Sequence, residues 1–574
     1  MNKQIDPGPN FADPRCFIPP KLLGYLDLSR LPGPAIPARL KAMLPGVLKK
    51  DPSHFVVLEP KRLPYAGMSE SMLQEPRSFL TIGPDSDYPG LQTDQELQVE
   101  WFGRKVYAVS MTVVKTGENT WRMCDSLAEH IGKQLGRHIP HSQILTSGIK
   151  DRWAITAQTV VIVGVSMAEM KTVDWSGFAP GRRGFFVKDI QPTNRLLDMG
   201  DHLANGFEIK VLVDGASKAE LQEYMEPRAF ALSMRNYWIL NFFHRQRLGP
   251  GQNLQMKGLT LLTGEWEPVE KCFPFRSAAE AMVHRLLFEV SHRDNDGVRA
   301  LRHNLETSWQ YNFEELERNL GRQYKRYNLT LEYEVAKRLA DEFFNGCCES
   351  VLYDLRNRLS LCIGAWQAYY WNQALASQLE SGYLAPDVWA RNGDNRSFVQ
   401  ASIPLAMSCE ESKRVYRRTA QGQKCLEEMA KTEELAARGT QYLRAYIESY
   451  WAAEALKPHK QRDRTDNTGL SLKLVRSLFS GADVVNGVER PDASSISAAL
   501  VMHLFLVPRD RRSGVEKSKP PRRKAFVRAN DFDYDVEDGA VNLRFNLRSG
   551  AYATTLVGLL FDTTDPEELD NAGN

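Results

Sequence analysis

The chain has 574 residues, a length that implies about two to four domains at the usual domain size. Hydrophobic residues make up 43% and charged residues 25%, a globular composition that excludes disorder along the whole length. Lys+Arg 73 against Asp+Glu 71 leaves a net charge of +2, so no global charge points to a nucleic-acid or membrane partner and any basic surface is local.

Residues 1–45 hold nine of the thirty prolines. Proline fixes φ and removes a backbone donor, so residues 1–49 read as an extended arm. A short strand is expected at Phe55–Glu59, then a Pro/Gly/Ser/Asp-rich loop to about Asp94, then strands near Glu96–Phe102 and Tyr107–Lys115. Thr120 is the expected N-cap of a helix whose Trp121, Cys124, Leu127, Ile131 and Leu135 recur at spacings of three and four, which places them on one face. A strand at Ser142–Ser147 leads into Gly148-Ile149-Lys150-Asp151-Arg152, and the β-prone Ala154–Val165 follows. Strand, polar turn, strand is an arrangement that lifts Asp151 out of a sheet edge.

A helix is expected over Lys218–Arg247, then a turn at Gly249–Asn253. From there to about Val484 the periodicity is helical, as in Glu314–Phe344, Val351–Leu379 and Lys424–Leu456. Strand character returns at Ala498–Val507, Arg523–Arg528 and Val541–Leu547. β-rich material at both ends therefore brackets a helix-rich centre. The expected fold class is α+β, a mixed sheet flanked by helices and interrupted by a helix-rich insertion. The expected boundaries are 50–255 and 510–562 for the split domain, 256–509 for the insertion, and 563–574 for an acidic tail.

The eight cysteines form no C-x-x-C pair and are too sparse for a disulfide scaffold, which fits a reducing compartment and argues against a zinc ribbon. No H-x-x-x-H or H-E-x-x-H spacing occurs, so no metal site is expected. Apolar runs such as Val160–Met167 fall short of the ~20 residues that span a bilayer. The N-terminal residues carry neither a secretory nor a transit pattern, so a soluble intracellular protein, cytoplasmic or nuclear, is expected.

Gly148-Ile149-Lys150-Asp151-Arg152-Trp153-Ala154-Ile155-Thr156-Ala157-Gln158 is the most informative segment. A carboxylate between two cations is expected to be ionised near neutrality and able to act as a nucleophile or base. Alone, the segment reads first as a solvated turn with local ion pairs. Its pattern, G-x-K-D-R followed by A-x-T-x-Q, resembles the catalytic signature of the TruD family of pseudouridine synthases. Other segments resemble that family's landmarks in order: Phe55, Val57 and Glu59; Lys115 to Thr120; Asn194-Arg195 through Asn205-Gly206-Phe207; Asn241 to Gly249; Tyr370 to Gln373; and Leu547 to Thr554. Departures also stand out. Trp153 fills a place usually polar or basic, Asn205-Gly206 reverses the family's order, and His244, Leu248 and Arg548 replace a glycine, a phenylalanine and a proline.

The resemblance implies a pseudouridine-synthase-like sheet with a TRUD insertion, an RNA substrate (transfer RNA first, ribosomal RNA second), no cofactor, and Asp151 as the catalytic aspartate. It implies Phe243 as the surface for a flipped base and Asn241 as the holder of that turn. It places Lys115 beside Asp151, and Arg152, Gln246 and Arg247 around the pocket or against a phosphate. By residue type alone, Phe243 reads as a core aromatic and Lys115 as a strand lysine. Arg509–Lys524 carries eight basic residues against Asp510 and Glu516, which makes Arg511, Arg512, Arg522, Arg523 and Lys524 candidates for contact with an RNA backbone. Two other readings stay open: an RNA-binding or ribosome-assembly factor without turnover, and an unrelated hydrolase using Asp151 as base.

Overall fold

A computed structural model describes residues 43–59, 94–179, 184–198, 204–233, 239–248, 254–263, 349–380, 402–404, 420–458, 468–506 and 522–564, with isolated positions between them. The arm before residue 43, the loop 60–93, most of the helix expected over Glu314–Phe344, Arg511 and Arg512, and the tail from 565 lie outside the described residues.

The described strands are, in chain order, β1 (Pro45–Val47), β2 (Phe55–Leu58), β3 (Gln98–Trp101), β4 (Arg104–Thr116), β5 (Ile144–Thr146), β6 (Ile155–Val163), β7 (Phe185–Pro192), β8 (Ala204–Leu212), β9 (Ile239–Leu240), β10 (Ser402–Pro404), β11 (Val484–Val485), β12 (Val488–Glu489), β13 (Arg522–Lys524), β14 (Phe526–Val527), β15 (Asn530–Glu537), β16 (Ala540–Arg548) and β17 (Asp562–Thr564). The helices that position the site are α1 (Thr120–Gln134), α2 (Met167–Thr172), α3 (Lys218–Ser233), α4 (Leu254–Thr263), α5 (Glu349–Asp354), α6 (Arg356–Glu380), α7 (Ala420–Ala455), α8 (Leu472–Leu478), α9 (Ala493–Phe505) and α10 (Ala553–Leu560). The main sheet runs β15-β16-β8-β2-β6-β4-β3, with β5 on β6, β7 on β4, and β1 joining β8 to β17. It is mixed, because β2 runs parallel to β6 but antiparallel to β8. Helices and a mixed sheet share the chain as the α+β class requires.

Register decides what each face carries. Val57 lies opposite both Thr156 and Phe207, and Thr156 lies opposite Lys115, so these side chains share one face. On that face Phe55, Val57, Phe207, Ile209, Val541 and Leu543 form one buried cluster with residues of α3, α6 and α10. Val109, Met111, Val113, Val160 and Ile162 form a second, with Met123, Cys124, Leu127 and Ile131 of α1. Glu59, Lys115, Thr156 and Gln158 are buried polar residues on the stretch of face between the two clusters. The fold thus places a polar strip between two apolar halves.

The helical region from α4 to α9 packs into the same core as the sheet, with Trp366 and Trp371 joining Phe207 and Phe545 in one cluster. Gly258 allows α4 to approach α6, since a Cβ there would lie 2.8 Å from Trp366 Cβ.

Several sequence expectations are corrected. Of the strand expected at Ala498–Val507, residues 498–505 belong to helix α9, capped by the Asp492 side chain on the Ser495 N–H, and Val507 lies outside the described residues. A continuous apolar run fits a helix buried on every side as well as a strand. The helix expected over Lys218–Arg247 ends at Ser233, and Ile239–Leu240 becomes a strand paired with Phe526–Val527. The N-cap of α1 is Asn119, whose side chain accepts from Arg122 N. Pro45–Val47 lies within the sheet rather than in the arm expected over 1–49, pairing with Asp562–Thr564.

Candidate active site

β5 and β2 sit head to head on the same edge of β6: Thr146 lies opposite Val160, and Leu58 opposite Ala157. The chain between Thr146 and Ile155 must therefore leave the plane of the sheet to re-enter it at the start of β6. Residues 147–154 form that arch, and Asp151 lies on it.

The arch rests on the polar strip. Lys115, fully buried on β4, sends its ammonium to the carbonyls of Asp151 (2.7 Å), Glu118 (2.8 Å) and Lys150 (3.3 Å). Burial pulls its pKa down to about 8, against the opposing pull of the Asp151 and Glu118 carboxylates. Lys150 is buried too, with its ammonium on Glu59 (2.8 Å) and on the Asn205 side-chain oxygen (2.6 Å). The other Glu59 oxygen accepts from Ser147, and the Lys150 N–H donates to Thr120 Oγ1 at the start of α1 (3.1 Å). Under the arch, the Thr156 hydroxyl and the Gln158 amide are buried without hydrogen-bond partners among the described residues.

Asp151 itself is gripped at both carboxylate oxygens. Lys49 pairs with Oδ2, and the Trp153 N–H donates to Oδ1 at 3.1 Å. The two side chains are 3% and 18% exposed, so the cation is buried while the carboxylate keeps a way to solvent. Lys49 also stands 4.9 Å from the centre of the Phe55 ring and adopts φ 55, an unfavourable backbone conformation for a lysine. Sequence reading missed Lys49: it lies six residues before β2 in what reads as a proline-rich arm, and nothing local ties it to Asp151. Arg152, on the far side, is exposed, with Nε on Gly117 O (3.2 Å).

Asn241 and Phe243 build a second cluster. Asn241 donates to Lys524 O (2.9 Å) and accepts at its side-chain oxygen from Arg523 (2.7 Å). The Phe243 N–H and carbonyl bond the two ends of the Asn372 amide of α6 at 2.8 and 2.9 Å. The Phe243 ring meets Trp371 and Tyr552 edge to face, with the Arg523 guanidinium 3.9 Å from its centre. Phe243 is therefore a wall with one face already taken, outside any helix. Arg523 also donates to Asn241 O and Gly550 O. This corrects its expected part as a surface contact to RNA: it is buried and spent on carbonyls and aromatic faces. Burial pulls its pKa down to about 9, which leaves it a cation at neutral pH.

Arg247 lies against α6, where Gly364 leaves room: a Cβ there would collide with the guanidinium. Arg247 Nε is buried without a hydrogen-bond partner among the described residues. Lys524 is partly exposed, and the side chains of Gln246 and Arg522 lie outside the described residues. The two clusters share one end of the sheet, because Asn205, which holds Lys150, pairs with Leu547, just before the turn bearing Gly550 and Tyr552. Asp151, Lys115, Asn241, Phe243 and Arg523 are thus gathered at one end of the fold from segments remote in sequence.

Among the described residues no group of three or more His, Cys, Asp or Glu is placed to hold a metal ion, and no helix is long and apolar enough to cross a membrane.

The chain has relatives among known proteins. The chain is 25% identical over 223 residues to the "Probable tRNA pseudouridine synthase D 1" of Methanocaldococcus jannaschii, 39% of this chain and 46% of that protein. It is 21% identical over 353 residues to the "Probable tRNA pseudouridine synthase D" of Methanococcus maripaludis, 60% of this chain and 71% of that protein. The match thus spans about half the length of the first relative. A solved chain from Methanosarcina mazei described as TruD aligns over 92% of this chain and 95% of its own, at 14% identity and TM-score 0.38. The family model described as tRNA pseudouridine synthase D (TruD) matches residues 44–424, more than half of the chain and every strand from β1 to β8, so this protein belongs to the TruD family.

Proposed function

We propose that this chain is an RNA pseudouridine synthase that isomerises a specific uridine in structured RNA, with transfer RNA as the first substrate class and ribosomal RNA as the second. The observation that carries the reading is the fixing of the Asp151 carboxylate, Lys49 on one oxygen and the Trp153 N–H on the other, on an arch held from beneath by Lys115. A carboxylate so placed is held in one orientation, which the chemistry requires. The reaction breaks the N1–C1′ bond of uridine, turns the base and joins C5 to C1′, with C5 giving up its proton and N1 gaining one. Reactant and product have the same atoms and oxidation level, so Asp151 needs no redox cofactor or nucleotide.

The target base must leave its stack to reach Asp151. Phe243 and Tyr552 then serve as walls for the flipped base, and Asn241 holds their turn through Lys524 and Arg523. Exposed Arg152, with Arg247 and Lys524, supplies positive charge toward the sugar–phosphate chain.

The test is to incubate the purified protein with total RNA from cells that lack it and map pseudouridines chemically, with Asp151→Asn as control. New sites that vanish in Asp151→Asn, with turnover falling by at least about 10³-fold and RNA affinity kept, are expected. Tight RNA binding without any new pseudouridine would replace this reading with that of a non-catalytic RNA-binding or assembly factor.

A further inference from the structure

We propose that Trp153 is a stacking shelf for a nucleobase beside the target uridine and so helps to set which uridines are chosen; this rests on the function proposed above. Of the six large apolar side chains that stand exposed among the described residues, two are Ile149 and Trp153, each two positions from Asp151. They are 41% and 42% exposed, while Phe55, Phe243 and Trp371 are buried and Tyr552 is partly buried. An indole left in water at the rim of a site whose other rings are buried or partly buried is a surface available to something that arrives.

The chemistry around it selects the visitor. The neighbouring Arg152 guanidinium lies 5.9 Å from the indole centre and is also exposed. An exposed cation beside an exposed aromatic face suits a base and its phosphate together, whereas a partner protein would meet an apolar patch interrupted by charge. The backbone completes the case. The Trp153 N–H is bonded to the Asp151 carboxylate, so the shelf and the reacting group cannot move independently. A base resting on the indole would thereby fix the distance from its own sugar to Asp151. Because the indole is exposed and the bond to Asp151 uses the backbone, substitution removes the shelf without cutting the support of the carboxylate.

The experiment uses the full chain and total transfer RNA from cells lacking the protein. Trp153→Leu is expected to lower kcat/KM about tenfold through KM, to alter the map of modified uridines, and to leave the melting temperature unchanged; Trp153→Phe is expected to recover most of the loss. Unchanged KM and an unchanged map in Trp153→Leu would overturn the proposal. So would a loss confined to kcat, which would mean that the residue acts only through Asp151. A second measurement is independent of turnover: photo-crosslinking of the Asp151→Ala protein to transfer RNA carrying 5-bromouridine, followed by peptide mapping. An adduct on Trp153 supports the shelf even if the wild-type protein makes no pseudouridine, and then it is the proposed activity that fails. Pseudouridine formed with no adduct on Trp153 overturns the shelf and leaves the activity standing.

Discussion

The two clusters at the end of the sheet solve opposite problems. Around Asp151 charge answers charge: Lys49 meets the carboxylate, Lys150 meets Glu59, and Lys115 caps three carbonyls beneath the arch. Around Phe243 a cation is buried on oxygens and ring faces, because among the described residues Arg523 meets the oxygens of Asn241, Phe242 and Gly550 and the rings of Phe243, Trp371 and Tyr552. The first arrangement holds one carboxylate at a partly open rim. The second ties three distant stretches of chain into a dry wall. The difference teaches which substitutions should disturb chemistry and which should disturb architecture.

The largest effect is expected in the dry cluster. Arg523→Met leaves the Asn241 and Gly550 carbonyls without donors and should lower stability by about 3–5 kcal/mol, read from denaturant midpoints. A change below about 1 kcal/mol would show that Arg523 is replaceable there. Asn372→Ala removes both bonds to the Phe243 backbone and should cost about 1–3 kcal/mol. If the wall positions the base, activity should fall in the same variant.

In the charged cluster the expected effects lie in pH profiles. Lys49→Met takes the buried cation from the Asp151 carboxylate, which should move the acidic limb of the rate profile to higher pH. An unmoved acidic limb would separate Lys49 from the reacting group.

Lys115 gives the smallest and most specific effect. Its pKa of about 8 lies below the ordinary 10.5, so between these values the unfolded chain holds a proton that the folded chain has released. This group's contribution to stability therefore rises with pH across that window and is least favourable below about 8. Activity should run the other way, with an alkaline limb near pH 8 as the arch loses its cation. The limb should disappear in Lys115→Met, and its persistence there would assign it to another group.

Much of the catalytic arch was legible in one dimension. The residues 148–158 keep their motif within a strand–turn–strand unit, and the neighbours of Asp151 on the arch are its neighbours in sequence. Lys115 was legible only as part of a resemblance, since a lysine on a strand shows nothing of its burial. Lys49 was not legible, because a long-range ion pair leaves no local periodicity. Arg523 was misread for a related reason: within a basic run every arginine looks solvated, and only packing against Phe243, Trp371 and Tyr552 sets this one apart. Among the elements, α9 was mistaken for a strand because a helix apolar on all sides has no amphipathic period.

The sequence by itself determined the α+β alternation of strands and helices over much of the chain and the family signature, because these depend on local patterns of residue type. Only the tertiary structure decided that the polar strip lies between two apolar halves, that Lys49 and Lys115 converge on Asp151, and that Arg523 is interior. Each of these follows from strand register and long-range burial, which bring together residues that have no influence on one another along the chain.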